Sequence, residues 1–560
     1  MRVFSIIFTA FIFLGSPLKA QNVPEHISNK PLYEFIDELA NDHIIEISSA
    51  VKPYSRQLIS IKLKEAYRQK EKLSDRQLFE LNMYLNDFSL ELNEKTESKF
   101  ALVKKDSTFL WSLLPPTLIY KDSLFRFNLK PVYGIQYCTN ENDSLRHTWG
   151  GLAVHSYVGE NWSVWASLRD NQQKGGRLAR PSYLTQSQGG AYKGLTGGGK
   201  GGEFSEMRAG ISWSWSWGSL SFEKDHVMMG DNYHSPSILS GRTPSYPMIK
   251  LQMQPTHWLD FHYHHGWLVS KVVDSLRSYV PYEGAPERVI YQPKYISANM
   301  FTITPIEKLD ISVGNSIIYS DMDVYPGYLI PFAFYKSIVH TQSQYTGHNH
   351  NSAMFFNLSS RNIKHLHLYG TWFVDEFSVT RIGDDERTNF TGTKAGFRLS
   401  NWPIPNTAIT AEYTFTYPKT YQHRTPSTTF ETNRFNLGHY LTDNARELYL
   451  ALSIKPFRGL SIDFSYLIAE KGNVVPYLYG EGRVDRDPFM EEVVWSNKTL
   501  SLKTRYSFYN NFSIFAEFYQ KDIQGFDKDG TSAGEYLDMF TPEIFHGWTN
   551  TLSFGMQLGF

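Results

Sequence analysis

TLSFGMQLGF, residues 551–560, alternates strictly. Leu552, Phe554, Met556, Leu558 and Phe560 fall on one side of an extended chain, and Thr551, Ser553, Gly555, Gln557 and Gly559 on the other. Period two is the signature of a strand with two unlike faces. An apolar face toward lipid and a small or polar face toward a lumen is the pattern of a transmembrane β-barrel strand. A terminal aromatic residue closing such a strand resembles the C-terminal signal of bacterial outer-membrane proteins.

The same alternation recurs upstream. In ISWSWSW, 211–217, Ile211, Trp213, Trp215 and Trp217 oppose Ser212, Ser214 and Ser216. Exposed to water, such an edge would aggregate; against lipid it is stable. The pattern returns in Leu366, Leu368, Trp372 and Val374, in Ile409, Ala411, Tyr413, Phe415 and Tyr417, in Leu448, Leu450, Leu452 and Ile454, and in Leu460, Ile462, Phe464, Tyr466 and Ile468. From about Leu124 onward it predicts about 18 antiparallel strands, an even number as in single-chain bacterial barrels.

Connection lengths give the topology. Short connections are expected near 159–160, 217–218, 304–307, 361–364, 402–406, 455–458 and 508–511. Long ones fall near 171–203, 226–246, 271–292, 320–351, 376–391, 418–444, 469–496 and 522–548. Short periplasmic turns alternate with long external loops in this way, which places both termini on the periplasmic side. Several of these loops exceed what a compact soluble domain carries.

Composition agrees. Thirty-five Tyr, 38 Phe and 13 Trp suit the aromatic girdles of a barrel. Formal net charge is −1, which gives no support to nucleic-acid binding. Mean hydropathy is negative, against a helical membrane protein but compatible with a polar lumen and loops. Cys138 is the single cysteine, so no intramolecular disulfide and no multi-cysteine zinc site can form.

The first 20 residues, MRVFSIIFTAFIFLGSPLKA, read as a secretory signal: Arg2, then an apolar core from Val3 to Leu14, then Leu18-Lys19-Ala20. The apolar run is too short for a spanning helix. Residues 21–100 read as a periplasmic helical bundle. Leu32, Phe35, Ile36 and Leu39 fit one helix face behind Pro31, and Ile59, Leu63, Ala66 and Tyr67 a second. A third begins at Ser74 with Gln77 completing a capping box and Leu78, Leu81, Leu85, Phe88 and Leu92 as its stripe. Helices this short need a surface to pack on, and the periplasmic mouth of the barrel (116–560) is the expected one.

Chemical motifs are sparse. GLTGGGKG, 194–201, has the glycines and Lys200 of a phosphate loop, but Gly201 stands where the magnesium-binding hydroxyl belongs, and no helix pattern follows. Asp527, Asp529, Gly530 and Glu535 fail the spacing of a calcium loop. His262, His264 and His265, and His348 with His350, read as lumen or loop histidines rather than ligands. No G-x-S-x-G or H-E-x-x-H motif is present. The sequence therefore points to no catalytic residue, no metal and no cofactor. DNYHSPSIL, 231–239, and DMDVYPGY, 321–328, supply Asp231, Asn232, Tyr233, His234, Asp321 and Tyr325. Carboxylates and amides can hold vicinal hydroxyls and rings can stack on a sugar face, which makes these six the candidate polysaccharide-binding residues.

Several segments in order resemble the Wzi family of outer-membrane capsule assembly proteins. They are KPYSR at 52–56, DNYHSPSIL at 231–239, PSYPMIKL at 244–251, SVGNSIIYSDMDVYPGYLIPFAFY at 312–335, LYGTWFVDEFSV at 368–379 and FNLGHYLTDNARELYL at 435–450. The resemblance implies an 18-stranded barrel with a helical bundle at its periplasmic end. It also implies a lectin-like, non-enzymatic role in holding capsular polysaccharide or exopolysaccharide at the cell surface. The long Gly-rich segment 171–203 departs from that pattern. Implied partners are outer-membrane lipid, surface polysaccharide and, during biogenesis, the outer-membrane barrel assembly machinery. The rival readings are a porin or transporter, a membrane hydrolase, and a structural subunit of a surface motility or secretion complex.

Overall fold

The computed structural model describes residues 21–106, 108–195, 201–346, 349–384, 387–475, 477, 487–510, 512–528 and 530–559. The expected leader 1–20, residues 196–200 of the Gly-rich run, His348, Asp529 and Phe560 lie outside them. Eighteen antiparallel strands close into a barrel. They are β1 Phe125–Thr139, β2 Ser144–Val158, β3 Trp162–Lys174, β4 Gly201–Trp215, β5 Gly218–Asp225 and β6 Tyr246–Thr256. Then come β7 Leu259–Val273, β8 Tyr291–Ile306, β9 Leu309–Ser320, β10 His350–Ser360, β11 Leu366–Glu376 and β12 Phe390–Ser400. The last six are β13 Thr407–Thr416, β14 Ala445–Ile454, β15 Leu460–Gly472, β16 Val493–Tyr509, β17 Phe512–Gly525 and β18 Gly547–Leu558.

The terminal strand closes the ring. Leu552 to Leu558 pair with Thr139 to Tyr133 of β1. Below that seam the other half of the same β1 edge pairs with Pro116–Lys121, the last strand of a small meander that also contains Ala101–Lys105 and Phe109–Leu113. The close approach at the seam demands Gly555: a Cβ there would lie 2.3 Å from the Ile135 carbonyl oxygen.

The two faces separate as the alternation predicts. Leu552 and Phe554 are 57% and 56% exposed on the outside, while Thr551 and Ser553 are 1% and 3% exposed within. Ile211, Trp213 and Trp217 are exposed outward, and Ser212 and Ser214 are buried inward. Each Leu or Phe side chain is worth roughly 1.5–3 kcal/mol on burial, so a continuous outer belt of such residues is stable only in an apolar medium. Among the described residues no helix is long and apolar enough to cross a membrane.

Loop lengths segregate by end. The short turns are 159–161, 216–217, 257–258, 307–308, 361–365, 401–406, 455–459 and 510–511. The turn at 257–258 has no counterpart among the expected short connections. The opposite end carries the long loops and one short link at 140–143.

The N-terminal helices are α1 Lys30–Asn41, α2 Arg56–Arg68 and α3 Asp75–Asp87. Ser74 and Gln77 form the expected capping box on α3, and Ser55 caps α2. Leu32, Phe35, Ile36 and Leu39 pack against Ile59, Leu63, Leu81 and Phe88. Tyr67, expected on the packed face of α2, is 44% exposed instead. The bundle sits against the short-turn end, and turns and strand ends around the ring hold it. Arg361 donates to Asn41 at 2.8 Å, Arg76 to Asn406 at 2.8 Å, Asn401 to Asp42 at 2.7 Å and Asn510 to Asp87 at 2.6 Å.

Candidate functional site

The lumen is filled from both ends. From the bundle, the segment around Val51 rises into the barrel. From the long-loop end, the connection 226–245 folds inward to meet it. Val51 and Lys52 pair with Met229 and Met228, which pair in turn with Leu239 and Ser240, making a three-stranded sheet inside the barrel. Its apolar residues are packed in the lumen core: Met229, Ile238 and Leu239 lie among Met248, Ile296, Met300, Ile318, Phe355 and Phe373 of the wall. The loop 417–444 also folds in, and Tyr421 donates to the Ser237 carbonyl at 2.6 Å.

Inward-pointing charges on the wall hold this plug. Asn357 donates to Asp231 at 2.6 Å and accepts from the Asp231 N–H at 3.0 Å, while Ser49 donates to the same carboxylate. Lys394 and Glu412 form a fully buried pair at 2.8 Å. Lys394 also donates to the His234 carbonyl at 2.7 Å, and Glu412 accepts from the Tyr233 N–H at 2.7 Å and from the Tyr369 hydroxyl at 2.6 Å. The Arg398 guanidinium lies 4.5 Å from the Tyr233 ring centre. Burial pushes Glu38 of α1 up, but Lys455 and Arg76 more than reverse this and hold it at about 2. Burial likewise opposes, and Lys130 with Arg56 outweighs, the shift at Asp87, which is lowered.

The six sequence candidates do not form one site. Asp231, expected in an external loop, is 1% exposed inside the lumen and holds the plug. Asn232 donates to the Gly230 carbonyl at 3.1 Å beside it. Tyr233 and His234 continue the same inner segment, half-buried. The Tyr233 hydroxyl meets His367 Nδ1 at 2.8 Å, and the His234 ring stacks on Tyr449 with centres 3.8 Å apart. Asp321 and Tyr325 belong to a different place: they lie on the connection after β9, whose described residues 321–346 fold against the outer side of the wall, Asp321 exposed and Tyr325 against Tyr328. The wall residues that hold the plug, Asn357, Arg361, Lys394, Arg398 and Glu412, were not singled out from the sequence. For the four on strands the signal is a charge or amide at an inward position of an alternating strand, whereas Arg361 lies in the turn after β10.

Part of the lumen is polar and open to solvent. Next to the plug, β14 to β17 turn Tyr449, Asp463, Lys503, Arg505, Glu517 and Tyr519 inward. Lys503 is exposed although it lies inside the ring, and its ammonium sits 5.5 Å from the Tyr519 ring. Lys30 of α1 is within electrostatic reach of Lys503, Arg505 and Glu517, and of Glu34 on its own helix. At the long-loop end the helix Ala533–Phe540 packs on Trp495 beside Leu184 and Tyr440. Its cap uses two of the calcium-like residues: Glu535 forms a capping box with Ser532, and Asp527 accepts from the Ala533 N–H.

Two constellations resemble catalytic and metal-binding chemistry. Ser359 Oγ lies 2.8 Å from His367 Nε2, the spacing of a nucleophile and base. Both are buried, and His367 Nδ1 meets the Tyr233 hydroxyl rather than a carboxylate. His26, Glu206 and His226 bring one ligand atom each within 4.8 Å of one another. The Ser28 N–H donates to His26 Nδ1 at 3.0 Å, and the Ser28 hydroxyl lies 2.6 Å from the same nitrogen. His226 Nε2 and Glu206 are hydrogen-bonded at 2.5 Å. The hydrogen bond joins the wall to the infolded loop, and His26 of the N-terminal segment meets the His226 ring edge-on with centres 6.0 Å apart.

No protein-family model and no curated protein matches the chain. Solved structures do. One is Wzi, an outer membrane protein involved in group 1 capsule assembly in Escherichia coli and described as a carbohydrate binding β-barrel: 12% identity, 97% of this chain and all of that one, TM-score 0.54. Acinetobacter baumannii OccAB2 matches at 9% identity over 79% of this chain and 99% of that one, TM-score 0.43. Pseudomonas aeruginosa OprD matches at 9% identity over 78% and 95%, TM-score 0.40. At such identity the likeness to Wzi is one of fold.

Proposed function

We propose that this chain is an outer-membrane protein, with its helical bundle in the periplasm, that binds and anchors capsular polysaccharide or exopolysaccharide at the cell surface without catalysing a reaction. The observation that carries this reading is the plug. A lumen crossed by a three-stranded sheet and held by buried charges is built to hold surface loops in place, not to pass large solutes. The fold shared with Wzi supports it. Sugar contacts are expected at two levels. At the rim, the connection 274–290 presents Tyr279 and Tyr282, 47% and 73% exposed, beside Arg288, as stacking platforms. Deeper, Asn232, Tyr233 and the stacked His234–Tyr449 pair border the polar chamber, with Asp231 positioning the segment. Asp321 and Tyr325 would contact a glycan only from outside the wall.

The test is the fraction of polysaccharide retained on cells against that shed, in a deletion strain carrying the wild type, Tyr279→Ala/Tyr282→Ala, or His234→Ala/Tyr449→Ala. Each double variant should shed glycan while its barrel remains heat-modifiable on gels. Full retention by both would overturn the assignment. A second reading, a channel for small charged solutes, draws on the charged strip of Asp463, Lys503, Arg505 and Glu517. A large, stable single-channel conductance of the intact protein would favour it.

A further inference from the structure

The connection after β9 is long enough to be an ordinary surface loop, yet its described residues 321–346 fold down the outside of the barrel. β7, β8 and β9 align outward residues in rungs: Phe261 with Phe301 and Val313, Tyr263 with Asn299 and Asn315, His265 with Ser297 and Ile317, Trp267 with Tyr295 and Tyr319. Outward positions at the short-turn end of these strands, Ile303, Ile311 and Val313, are exposed like the rest of the belt. Those above are not. Phe261, Tyr263, His265, Asn299, Ile317 and Tyr319 are buried, and what covers them is the segment Pro326–Tyr335 followed by α4, Tyr335–Thr346. Phe332 reaches the lowest of these rungs, with its ring centre 4.6 Å from that of Phe261.

Two observations fix what the outer side of this flap faces. Its depth is the first. Two residues along a strand tilted by ~40° advance roughly 5 Å along the barrel axis, so the rungs from Ile303 to Tyr295 span about 20 Å, within the ~25 Å of an apolar belt. The exposed side chains of Leu329, Ile330, Phe332 and Phe334 continue that belt sideways. The second is how part of the flap's backbone is satisfied. In hydrocarbon every N–H and C=O needs a partner. Asn299 donates to the carbonyls of Pro331 and Ala333, each at 2.9 Å; Asn315 donates to Asn299 at 2.7 Å and accepts from the Tyr335 N–H at 2.9 Å. A pair of asparagines pointing outward from mid-strand would be costly if it faced lipid bare. Here the pair meets the flap's irregular backbone. Lys336 is exposed beside this layer, within electrostatic reach of Asp375 near the long-loop end of its strand, and its stem lets the ammonium rise toward the headgroups.

We infer that residues 329–334 form a membrane-inserted flap whose outer side is solvated by lipid acyl chains. The wall over β7–β9 is therefore two layers thick within the bilayer. The native Cys138 is buried, so a single introduced cysteine can carry a fluorophore. Full-length Phe332→Cys, labelled and reconstituted in phosphatidylcholine vesicles, should be quenched several-fold more by lipids brominated on the acyl chain than by aqueous iodide. Leu276→Cys, at a side chain 99% exposed on the connection 274–290, should show the reverse. Leu552→Cys on the terminal strand reports the membrane reading itself: if it too escapes bromolipid, the barrel's membrane placement fails and not the flap alone. With Leu552→Cys quenched by bromolipid, iodide quenching at position 332 would overturn the inference. So would protection there from both quenchers, which would mean a protein partner or a second copy on this surface. In Asn299→Leu/Asn315→Leu the label at 332 should shift toward iodide, because the Pro331 and Ala333 carbonyls then lose their donors.

Discussion

Arg361, in the turn between β10 and β11, donates to Asp37 of α1 at 3.1 Å, and both side chains are only 5% exposed. The same guanidinium reaches Asn41 at 2.8 Å and Ser49 at 2.9 Å. One wall residue thus fixes both the helix at the mouth and the segment that enters the lumen. Removing one member of a buried pair strands the other charge and costs about 3–5 kcal/mol. Arg361→Ala should therefore release the plug locally while the barrel stays closed. Hydrogen exchange should rise in residues 30–52 and not in the strands, and Asp37→Ala added to Arg361→Ala should recover part of the loss.

Acid should loosen the bundle before the barrel. Glu38, Asp87 and Glu91 are all held below the ordinary carboxylate range: burial works against this at each, but Lys455 and Arg76 at Glu38, Lys130 and Arg56 at Asp87, and Arg56 and His155 at Glu91 outweigh it. A lowered folded-state value contributes stability above the unfolded value and loses it as pH falls toward the folded one. For Glu38 that window runs from 4.5 down to about 2. Asp42, raised by burial and by Glu38, works in the opposite direction and offsets part of the effect. Proteolysis within residues 30–87 should increase between pH 5 and pH 2 while the barrel's gel migration is unchanged. Glu38→Gln should flatten part of that dependence.

The charged strip should set ion selectivity if any current flows beside the plug. Lys503 is the register partner of Asp463 on one neighbouring strand and of Glu517 on the other, and Arg505 lies two residues along on the same inward face. Replacing both cations with Ala leaves an acidic strip and should move any residual conductance toward cations, read as a shift in reversal potential under a salt gradient. An unchanged reversal potential would place the current elsewhere.

The alternation in TLSFGMQLGF and ISWSWSW carries the barrel because lipid on one side and a lumen on the other impose period two on every strand. Loop lengths were legible for a similar reason, since the chain must turn tightly at one end. The infolded loop was not. DNYHSPSIL has the polar turn residues of a surface loop, and only Ile238 and Leu239, both buried, hint that it enters a core. The flap left a comparable trace: LIPFAF, 329–334, is too apolar for a hydrated loop, and Asn299 and Asn315 sit at outward positions of strands where lipid forbids an amide. Both cases are long-range pairings, to which periodicity within one strand is blind. Grouping Asp231 with Asp321 by loop chemistry failed for the same reason: the wall stands between them.

The infolded loop can be cut out without opening the wall, which makes it the sharpest test of the plug. Asp225 and Tyr246, the ends of β5 and β6, are register partners, so their Cα atoms lie about 4.5–5.5 Å apart and a tight turn can join them. Replacing residues 227–244 with a four-residue Gly/Asn turn removes Met229, Ile238 and Leu239 from the lumen core and leaves the segment around Val51 without its partner strand. The ring of wall hydrogen bonds is untouched, so the protein should still insert and remain heat-modifiable. Its lumen, however, loses the sheet that crosses it. Single-channel conductance should rise several-fold over the intact protein, and if the anchoring reading holds, glycan retention should fall along with it. A variant that inserts, stays heat-modifiable and conducts no better than wild type would mean that the remaining bundle and the loop 417–444 seal the barrel alone. The three-stranded sheet would then serve to position Tyr233 and His234 instead of blocking the pore.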